Sequence, residues 1–440
     1  MFYQEAIDYI KNIERSGSDY GIERMRELLD LLGAPDKRLK FVHIAGTNGK
    51  GSVSAYLTSI LKEAGYKVGT YNSPSVFEYN ERWLVGGTPL TDEDVAKYLT
   101  VVRECIQSEQ TLRDAFQIGE FKPTAFEIET AVAMLAFFDK ECDVCVLETG
   151  LGGRWDATNA IEDKVLSIVT LIGLDHCAYL GNTLGEIASE KAAIIKDVVV
   201  TCNQPPEVME QIERPFEQKD GKKVVRNSTV VVCKEPVFLQ GDVTGQSFLY
   251  DGKEYRISML GKHQLVNASI AICAAQELGK KHFEICQSAI EQGLANTVWK
   301  ARLQVVKNAK EEFNISVPQD KVLVFDGSHN PQGATTLANA IKDLFKSKRV
   351  HLVLGILKDK DVKGICQILV HLASEVTCVT APSFRAMPKE ELQQIVKPLF
   401  GGACDVCSDI KTAVQNALDG TCDVTILCGS LTLFSGLKNN

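Results

Sequence analysis

The sequence predicts an α/β protein built from two domains. Its 440 residues exceed the length at which a single hydrophobic core usually stops growing. Short apolar runs, typical of buried strands, are followed by helical patterns, and this alternation is strictest from Val322 onwards. The chain passes to the second of these units around Trp299, so we predict domains at residues 1–298 and 299–440.

The composition, with 45% hydrophobic and 24% charged residues, is that of a soluble globular protein. A net charge of −9 argues against nucleic acid or an anionic membrane as the main partner. The first residues lack the basic segment and apolar core of a signal peptide, and the apolar run 131–138 is too short for a membrane span. We therefore expect a cytoplasmic protein that binds neither nucleic acid nor membrane.

Fourteen cysteines are scattered through apolar runs rather than placed around loops. Without an export signal, buried free thiols are the expected state. Two Cys-x-x-Cys runs, Cys142–Cys145 and Cys404–Cys407, offer a metal-binding or redox alternative. If these runs are strands, the two side chains of each pair point to opposite faces, which disfavours a shared metal or a disulfide.

Two amphipathic helical patterns within residues 1–33 precede the first predicted strand, Phe41–Ala45. Gly46–Ser52, which reads GTNGKGS, ends that strand, and Val53–Ala64 has the pattern of an amphipathic helix. A glycine-rich turn between strand and helix lets backbone N–H groups converge on an anion, and Lys50 adds a positive charge. The spacing departs from the pattern G-x-x-x-x-G-K-[ST], so an ordinary tight turn is the alternative.

The first domain continues with further strands and helices. The expected elements are a strand at Lys67–Tyr71, a hairpin turn at Gly86-Gly87, helices at Asp92–Gln107 and Thr124–Phe138, strands at Asp143–Leu147 and Val165–Leu171, a helix from Thr183 and a helix at Asn267–Leu278. Between about Val198 and Leu260, short β runs and an Asp251-Gly252 turn predict a small antiparallel annex.

Polar residues follow several of these strands at their carboxyl ends, where ligands of open α/β sheets bind. Ser73, Glu148 and His176 each follow one predicted strand, and a glycine-rich loop comes directly after Glu148. The ordinary alternatives are a surface carboxylate for Glu148 and a hydrogen-bonded loop residue for His176. Lys191, next to a glutamate on an amphipathic helix, would ordinarily belong to a solvated face.

The second domain is predicted to be a smaller, mainly parallel α/β unit. Its expected strands, with helices between them, are Val322–Phe325, Val350–Leu354, Val376–Thr380 and Val424–Leu427.

Many ordered motifs along nearly the whole chain resemble one family, the folylpolyglutamate synthases and dihydrofolate synthases of the Mur ligase superfamily. The motifs include Gly46–Ser52 (GTNGKGS), Ser73-Pro74, Glu148–Asn159 (ETGLGGRWDATN), Gly173–His176 (GLDH), His263-Gln264, Trp299–Val305 (WKARLQV) and Asp326–Pro331 (DGSHNP). Four positions depart from the family pattern: Ser75 stands where a histidine is usual, Lys300-Ala301 where Pro-Gly is frequent, and Ser328 where alanine is frequent.

The resemblance implies a P-loop, Mur-ligase-like first domain with a mainly parallel sheet and an antiparallel annex, followed by a smaller Rossmann-like α/β domain. It also implies an ATP- and Mg²⁺-dependent ligase that adds L-glutamate to folates, with 7,8-dihydropteroate as a second candidate acceptor. The acceptor carboxylate would attack the γ-phosphorus of ATP, and the amine of glutamate would then displace phosphate. Such chemistry depends on positioning and on cations rather than on a protein nucleophile. We expect a monomer whose partners are small-molecule substrates.

Residue roles follow from the same resemblance. The implied catalytic residues are Lys50, Glu148, His176 and Lys191, the last commonly carbamylated in the family. The implied nucleotide-binding residues are Gly49, Lys50, Gly51, Ser52, Asn267, Arg302, Asp326 and His329. Ser52, Ser73, Glu148 and His176 are implied metal ligands. Thr124, Phe126, Arg154 and Asp156 are implied to bind the acceptor, although Phe126 has a core position as its alternative.

Two other functions compete with this interpretation. The first is another Mur-type amide ligase with a different acceptor, which the GTNGKGS and DGSHNP motifs disfavour. The second is a non-catalytic nucleotide-dependent switch, which would not need the carboxylate, histidine and lysine that chemistry at an acyl phosphate requires.

Overall fold

The structure, a computed structural model, describes residues 1–13, 22–214 and 228–438, together with the backbones of 216–219 and 222–225. Within these ranges, no helix combines the length and the apolar character needed to cross a membrane. All fourteen cysteines are free thiols and most of them are buried, so the prediction of reduced cysteines is confirmed.

The strands, in chain order, are β1 (Phe41–Ala45), β2 (Val68–Tyr71), β3 (Trp83–Val85), β4 (Thr88–Pro89), β5 (Val144–Glu148), β6 (Lys164–Val169), β7 (Val198–Thr201), β8 (Phe216–Lys219), β9 (Lys222–Val225), β10 (Thr229–Val232), β11 (Val237–Asp242), β12 (Gly245–Tyr250), β13 (Lys253–Ile257), β14 (Gln304–Val305), β15 (Val322–Asp326), β16 (Val350–Leu354), β17 (Glu375–Cys378), β18 (Ala403–Val406) and β19 (Val424–Cys428).

The α-helices are α1 (Tyr3–Lys11), α2 (Glu23–Leu31), α3 (Lys50–Glu63), α4 (Asp92–Phe116), α5 (Ala125–Asp139), α6 (Cys177–Leu180), α7 (Leu184–Ala192), α8 (Pro206–Ile212), α9 (His263–Lys281), α10 (Gln287–Asn296), α11 (Ala309–Phe313), α12 (Pro331–Leu344), α13 (Val362–Leu369), α14 (Lys389–Val396) and α15 (Ile410–Asp419). Short 3₁₀ turns lie at Pro35–Arg38, Tyr79–Arg82, Ala157–Ala160, Val370–Leu372 and Leu431–Leu437.

The larger sheet has the strand order β10-β7-β6-β1-β5-β2-β3-β4, in which β3 alone runs opposite to the other strands. All residues of β1 are buried because helices cover both faces of the sheet. Val42 and Ile44 pack towards α3 and α9, whereas Phe41 packs towards α4 and α5. The two N-terminal helices, α1 and α2, bury Ile7 and Met25 on the same side of the sheet as Phe41, which confirms the predicted helical segments before β1.

The predicted antiparallel annex is correct in type but wrong in extent. A three-stranded antiparallel sheet, β11-β12-β13, is present and turns at Asp251-Gly252. Val198–Thr201 and Thr229–Val232, however, pair in parallel and extend the main sheet. Short β-branched runs look alike in parallel and antiparallel strands, so the sequence pattern alone did not separate them.

The smaller sheet has the order β14-β15-β19-β16-β17-β18 and is parallel except for β14. This confirms the expected second α/β unit, to which the structure adds β14 and β18. The two sheets are consistent with two domains, and the boundary at residues 298 and 299 stays a prediction. Phe77, from the loop after β2, packs into the smaller sheet's core against Phe313, Phe325 and Phe434, so the two units are in contact.

Candidate active site

The turn between β1 and α3 forms an anion-binding cradle. Gly49 precedes α3 with φ of 94°, a conformation that glycine adopts without strain. A Cβ added at Gly49 would lie 2.5 Å from Oδ1 of Asn267, and one added at Gly51 would lie 3.0 Å from Nε1 of Trp299. Since no side chain caps α3, its first N–H groups are available to an anion at the positive end of the helix.

Three cationic side chains surround this turn. Lys50 and Lys191 both donate from Nζ to the carbonyl oxygen of Gly46, at 3.0 and 2.9 Å. Lys50 Nζ is also 3.8 Å from Oε1 of Glu148, and the Arg302 guanidinium interacts with the same carboxylate. Burial lowers the pKa of Arg302, while Asp326 and Glu148 act against this effect. The cluster of positive charge suits a polyanion such as a nucleotide triphosphate.

Glu148 ends β5 with its side chain buried beside these cations. Burial raises the pKa of Glu148, and the charges of Lys50 and Arg302 and the backbone N–H of Ser73 oppose the rise. The structure thus brings together Ser73 and Glu148, two of the predicted metal ligands. Their oxygen atoms are of the kind that Mg²⁺ prefers.

Ser52 lies in the first turn of α3 and is buried. Its Oγ accepts a 3.2 Å hydrogen bond from Nε2 of Gln264, whose Oε1 accepts one of 3.0 Å from Asn267. Nε1 of Trp299 is buried and lacks a hydrogen-bond partner among the described residues. An unpaired indole N–H beside the cradle fits a site completed by a ligand.

Gln264 and Trp299 were not among the predicted site residues. The sequence placed both in family motifs, but only their contacts with Ser52 and Gly51 reveal a position at the cradle. Such contacts between distant segments have no signal in local periodicity.

A second group of side chains joins the two α/β units at the same edge. Oδ1 of Asp175 is 2.7 Å from Nζ of Lys360, and Oδ2 accepts a 3.0 Å hydrogen bond from Asn330 and lies 3.6 Å from Nε2 of His329. Burial alone would raise the pKa of Asp175, but the hydrogen bond from His329 and the charge of Lys360 hold it well below its usual range. Asp175 therefore remains ionised and holds the two units together.

His176 follows Asp175, and its Nε2 lies 3.5 Å from Nζ of Lys360. Burial, followed by the positive charge of Lys360, lowers the pKa of His176 to about 4. The imidazole is consequently neutral near pH 7, as a metal ligand must be. Its role as a ligand stays a prediction, as do the roles of all the residues named from the sequence.

Lys191 is 4% exposed, far from the solvated face that a helical lysine would ordinarily occupy. Burial, followed by the charge of Lys50, lowers the pKa of Lys191 to about 7. A substantial fraction of this amine is therefore unprotonated at neutral pH. Only the unprotonated amine can react with CO₂, so the environment fits the predicted carbamylation.

Asp326 ends β15 in the second α/β unit, where its charge interacts with that of Arg302. Burial raises the pKa of its carboxyl group, against hydrogen bonds from Ser328. Oδ2 accepts a 2.9 Å hydrogen bond from the N–H of Leu303, which fixes the segment that carries Arg302. Nδ1 of His329 lies 2.9 Å from the carbonyl of Gly327. Asp326 and His329, both predicted to bind the nucleotide, thus lie at the carboxyl end of β15.

The four predicted acceptor-binding residues have structural contacts of their own. Thr124 caps α5 and exchanges hydrogen bonds with Glu127. The Phe126 ring stacks on Tyr71 with 5.9 Å between centroids. Its edge also covers Gly150, where an added Cβ would be 2.5 Å away.

Arg154 and Asp156 order the glycine-rich loop that follows Glu148. Arg154 Nε donates to Oε1 of Glu190 at 3.0 Å, which ties the loop to α7. The Asp156 carboxylate accepts hydrogen bonds from the N–H groups of Gly150 and Leu151, both at 2.9 Å, and from Thr158. Arg154 and Asp156 therefore stabilise the conformation of this loop. Direct binding of the acceptor by either side chain stays a prediction.

Comparison with known proteins is decisive for the family. Residues 44–275 match the model of the Mur ligase middle domain, and residues 302–431 match that of the Mur ligase glutamate ligase domain. The chain is 32% identical to the dihydrofolate synthase/folylpolyglutamate synthase of Bacillus subtilis, over 99% of this chain and 98% of that protein. The chain belongs to the folylpolyglutamate synthase and dihydrofolate synthase family of Mur ligases.

Further relatives of this family agree. The folylpolyglutamate synthase of Lacticaseibacillus casei is 33% identical over 88% of each chain. The crystal structure of the Mycobacterium tuberculosis folylpolyglutamate synthase complexed with ADP and AMPPCP superimposes with a TM-score of 0.83 at 26% identity, covering 100% of this chain and 98% of that one. The predicted family and fold are confirmed, as is the enzyme class, an ATP-dependent amide-forming ligase.

Proposed function

We propose that this chain adds L-glutamate to folates, using ATP to activate the acceptor carboxylate. The observation that carries the proposal is the convergence of Lys50 and Arg302 on Glu148, beside the glycine-rich turn before α3. An anionic carboxylate must approach a polyanion in this reaction, so the site has to supply positive charge and fixed positions.

ATP supplies the phosphoryl group that turns the acceptor carboxylate into a reactive acyl phosphate. The N–H groups from Gly49 to Ser52 and the ammonium of Lys50 hold the β and γ phosphates. Asn267 is positioned against the turn, and Arg302 offers a planar fork of donors that suits phosphate oxygens. Asp326 and His329 complete the nucleotide site from the second α/β unit.

Mg²⁺, when bound, neutralises phosphate charge at this site. Ser52 and Glu148 would hold a first ion, and Ser73, Glu148 and His176 would hold a second. Glu148 fits this role because its buried carboxylate has, besides the N–H of Ser73, mainly ionic neighbours. The neutral ring of His176 has a lone pair to offer.

Lys191 is proposed to act as a carbamate. The amine of Lys191 adds to CO₂, loses a proton and becomes an anionic carboxylate-like group. That change replaces a cation that is buried next to Lys50 with an anion, which removes the repulsion between the two side chains. The new group can then approach a cation at the cradle.

The acceptor is proposed to bind along the loop after Glu148, near Thr124, Phe126, Arg154 and Asp156. Phe126 offers an aromatic face next to the glycine-rich loop, and stacking on such a face suits a flat heteroaromatic ring.

We also propose that the protein is a cytoplasmic monomer. Light scattering in solution tests the proposed monomeric state.

A phosphate-release assay tests the function. Purified protein with MgATP should release phosphate only when both L-glutamate and an acceptor are present. Tetrahydrofolate and 7,8-dihydropteroate tested side by side decide which acceptors are used. ATP hydrolysis that is indifferent to both glutamate and acceptor would contradict the proposal and favour a nucleotide-dependent switch.

A further inference from the structure

Three potential metal ligands meet at the edge of the smaller sheet opposite the nucleotide site. His351 is the second residue of β16, Glu375 is the first of β17, and Cys422 lies just before β19. One ligand atom from each lies within 4.8 Å of those of the other two. Asp326 ends β15 at the other edge, and a five-residue strand separates the two edges by about 16 Å.

The His351 side chain is 10% exposed, and its Nδ1 is buried without a hydrogen-bond partner among the described residues. Nε2 lies 2.8 Å from Oγ1 of Thr377. With an ion bound, the ring proton would lie on Nε2, which donates to Thr377, and Nδ1, 3.5 Å from Oε2 of Glu375, would be free to bind the ion. A hydrogen bond from the other ring nitrogen commonly orients a metal-binding histidine in this way.

Glu375 is held in place by contacts to its other oxygen. Oε1 accepts a 3.0 Å hydrogen bond from Oγ1 of Thr421 and lies 3.4 Å from Arg349 and 3.5 Å from Sγ of Cys422. Oε2 remains to face His351. Because the Glu375 side chain is 28% exposed, the group is open to ions from solvent.

We propose that His351, Glu375 and Cys422 form a binding site for Zn²⁺ or a similar transition-metal ion, separate from the nucleotide site. Nitrogen, sulfur and oxygen ligands together select zinc-like ions over Mg²⁺ and Ca²⁺, which prefer oxygen alone. Zinc–ligand bonds of about 2.0 to 2.3 Å require ligand atoms about 3.3 to 3.8 Å apart, so closing the group takes a shift of roughly 1 Å. Three protein ligands leave the fourth position to water.

The protonation states of His351 and Cys422 in the free protein set the proton balance of metal binding. Burial lowers the pKa of His351, so its ring is neutral. Burial raises the pKa of the Cys422 thiol to about 11, with a further contribution from the negative charge of Glu375. Binding of the metal ion therefore releases one proton, because the Cys422 thiol must lose its proton to solvent before the resulting thiolate binds the ion.

Cobalt binding tests the proposal in the full-length protein. Protein freed of transition-metal ions and saturated with Mg²⁺ is titrated with Co²⁺, and the sulfur-to-cobalt charge-transfer absorption in the near ultraviolet is recorded. We expect one equivalent of Co²⁺ to produce the band, Zn²⁺ to displace it, and Cys422→Ser to abolish it. Glu375→Gln, at a partly exposed position, should weaken binding by about tenfold or more.

Two matched controls separate this site from other thiols. Cys177→Ser removes the thiol next to His176, and Cys286→Ser removes an exposed thiol; both variants should keep the band. The proposal is overturned if the wild type shows no thiolate band, or if the band persists in Cys422→Ser. It is equally overturned if Glu375→Gln binds Co²⁺ with wild-type affinity, a result that leaves the proposed ligase function untouched.

Discussion

Gly49→Ala is the substitution that most sharply tests the geometry of the cradle. At φ of 94°, a residue with a Cβ is strained by about 1 to 2 kcal/mol. The new methyl group would also lie 2.5 Å from Oδ1 of Asn267, closer than a non-bonded carbon and oxygen atom can approach. Either Asn267 or the turn must therefore move by roughly half an ångström or more. Misplacements approaching 1 Å can reduce the rate by about 100-fold.

Gly65→Ala is the matched control. Gly65 has a similar φ of 92° at the other end of α3, but an added Cβ would meet nothing within 4 Å. Both variants should lose about 1 kcal/mol or more of stability in urea denaturation because both carry the backbone strain. Only Gly49→Ala should lose most of its kcat/KM for ATP in the phosphate-release assay. Wild-type kcat/KM in Gly49→Ala, or an equal loss in both variants, would refute the assigned role of the turn.

Three further predictions concern the surrounding contacts. Lys191→Ala should lose most of the ligase activity and recover part of it when short carboxylic acids are added, whereas an unaltered rate without rescue would contradict carbamylation. The wild-type rate should fall as the pH decreases through about 7, because protonation removes the free amine that reacts with CO₂. Asp175→Asn breaks a buried ion pair and should destabilise the protein by about 3 to 5 kcal/mol in urea, whereas Asp251→Asn at an exposed pair should change stability by less than about 0.5 kcal/mol. Phe77→Ala removes a buried ring packed between the two units and should lower the free energy of unfolding by about 3 to 5 kcal/mol, whereas Phe384→Ala, at a side chain 93% exposed, should change it little.

The parts of the site that were predictable have a strong local signal. The apolar run Phe41–Ala45 followed by GTNGKGS specifies a buried strand and a turn in which only glycine fits, and the structure has both. Glu148 was found in the same way, as a carboxylate at the end of a buried strand. Parallel strands place their carboxyl ends at one edge, so the convergence of these residues follows from the fold class.

Other parts depended on contacts between distant segments. Asp175 contacts Lys360 across 185 positions of sequence, and no periodicity encodes that pairing. The strand Ala403–Val406 was missed because it lies at the sheet edge and has one buried residue, so it lacks the apolar run of a central strand. The long helix α4 was predicted to end at Gln107, whereas it continues to Phe116 through largely polar residues that face solvent.

The central claim is that the cradle activates a carboxylate through an acyl phosphate, and oxygen transfer tests it most directly. Acceptor labelled with ¹⁸O in both oxygens of its reacting carboxylate is turned over with MgATP and L-glutamate, and the released phosphate is analysed by mass spectrometry. One ¹⁸O per phosphate is predicted, because the carboxylate oxygen that attacks the γ-phosphorus leaves with it when the amine displaces phosphate. Phosphate free of ¹⁸O during full amide formation would contradict the account.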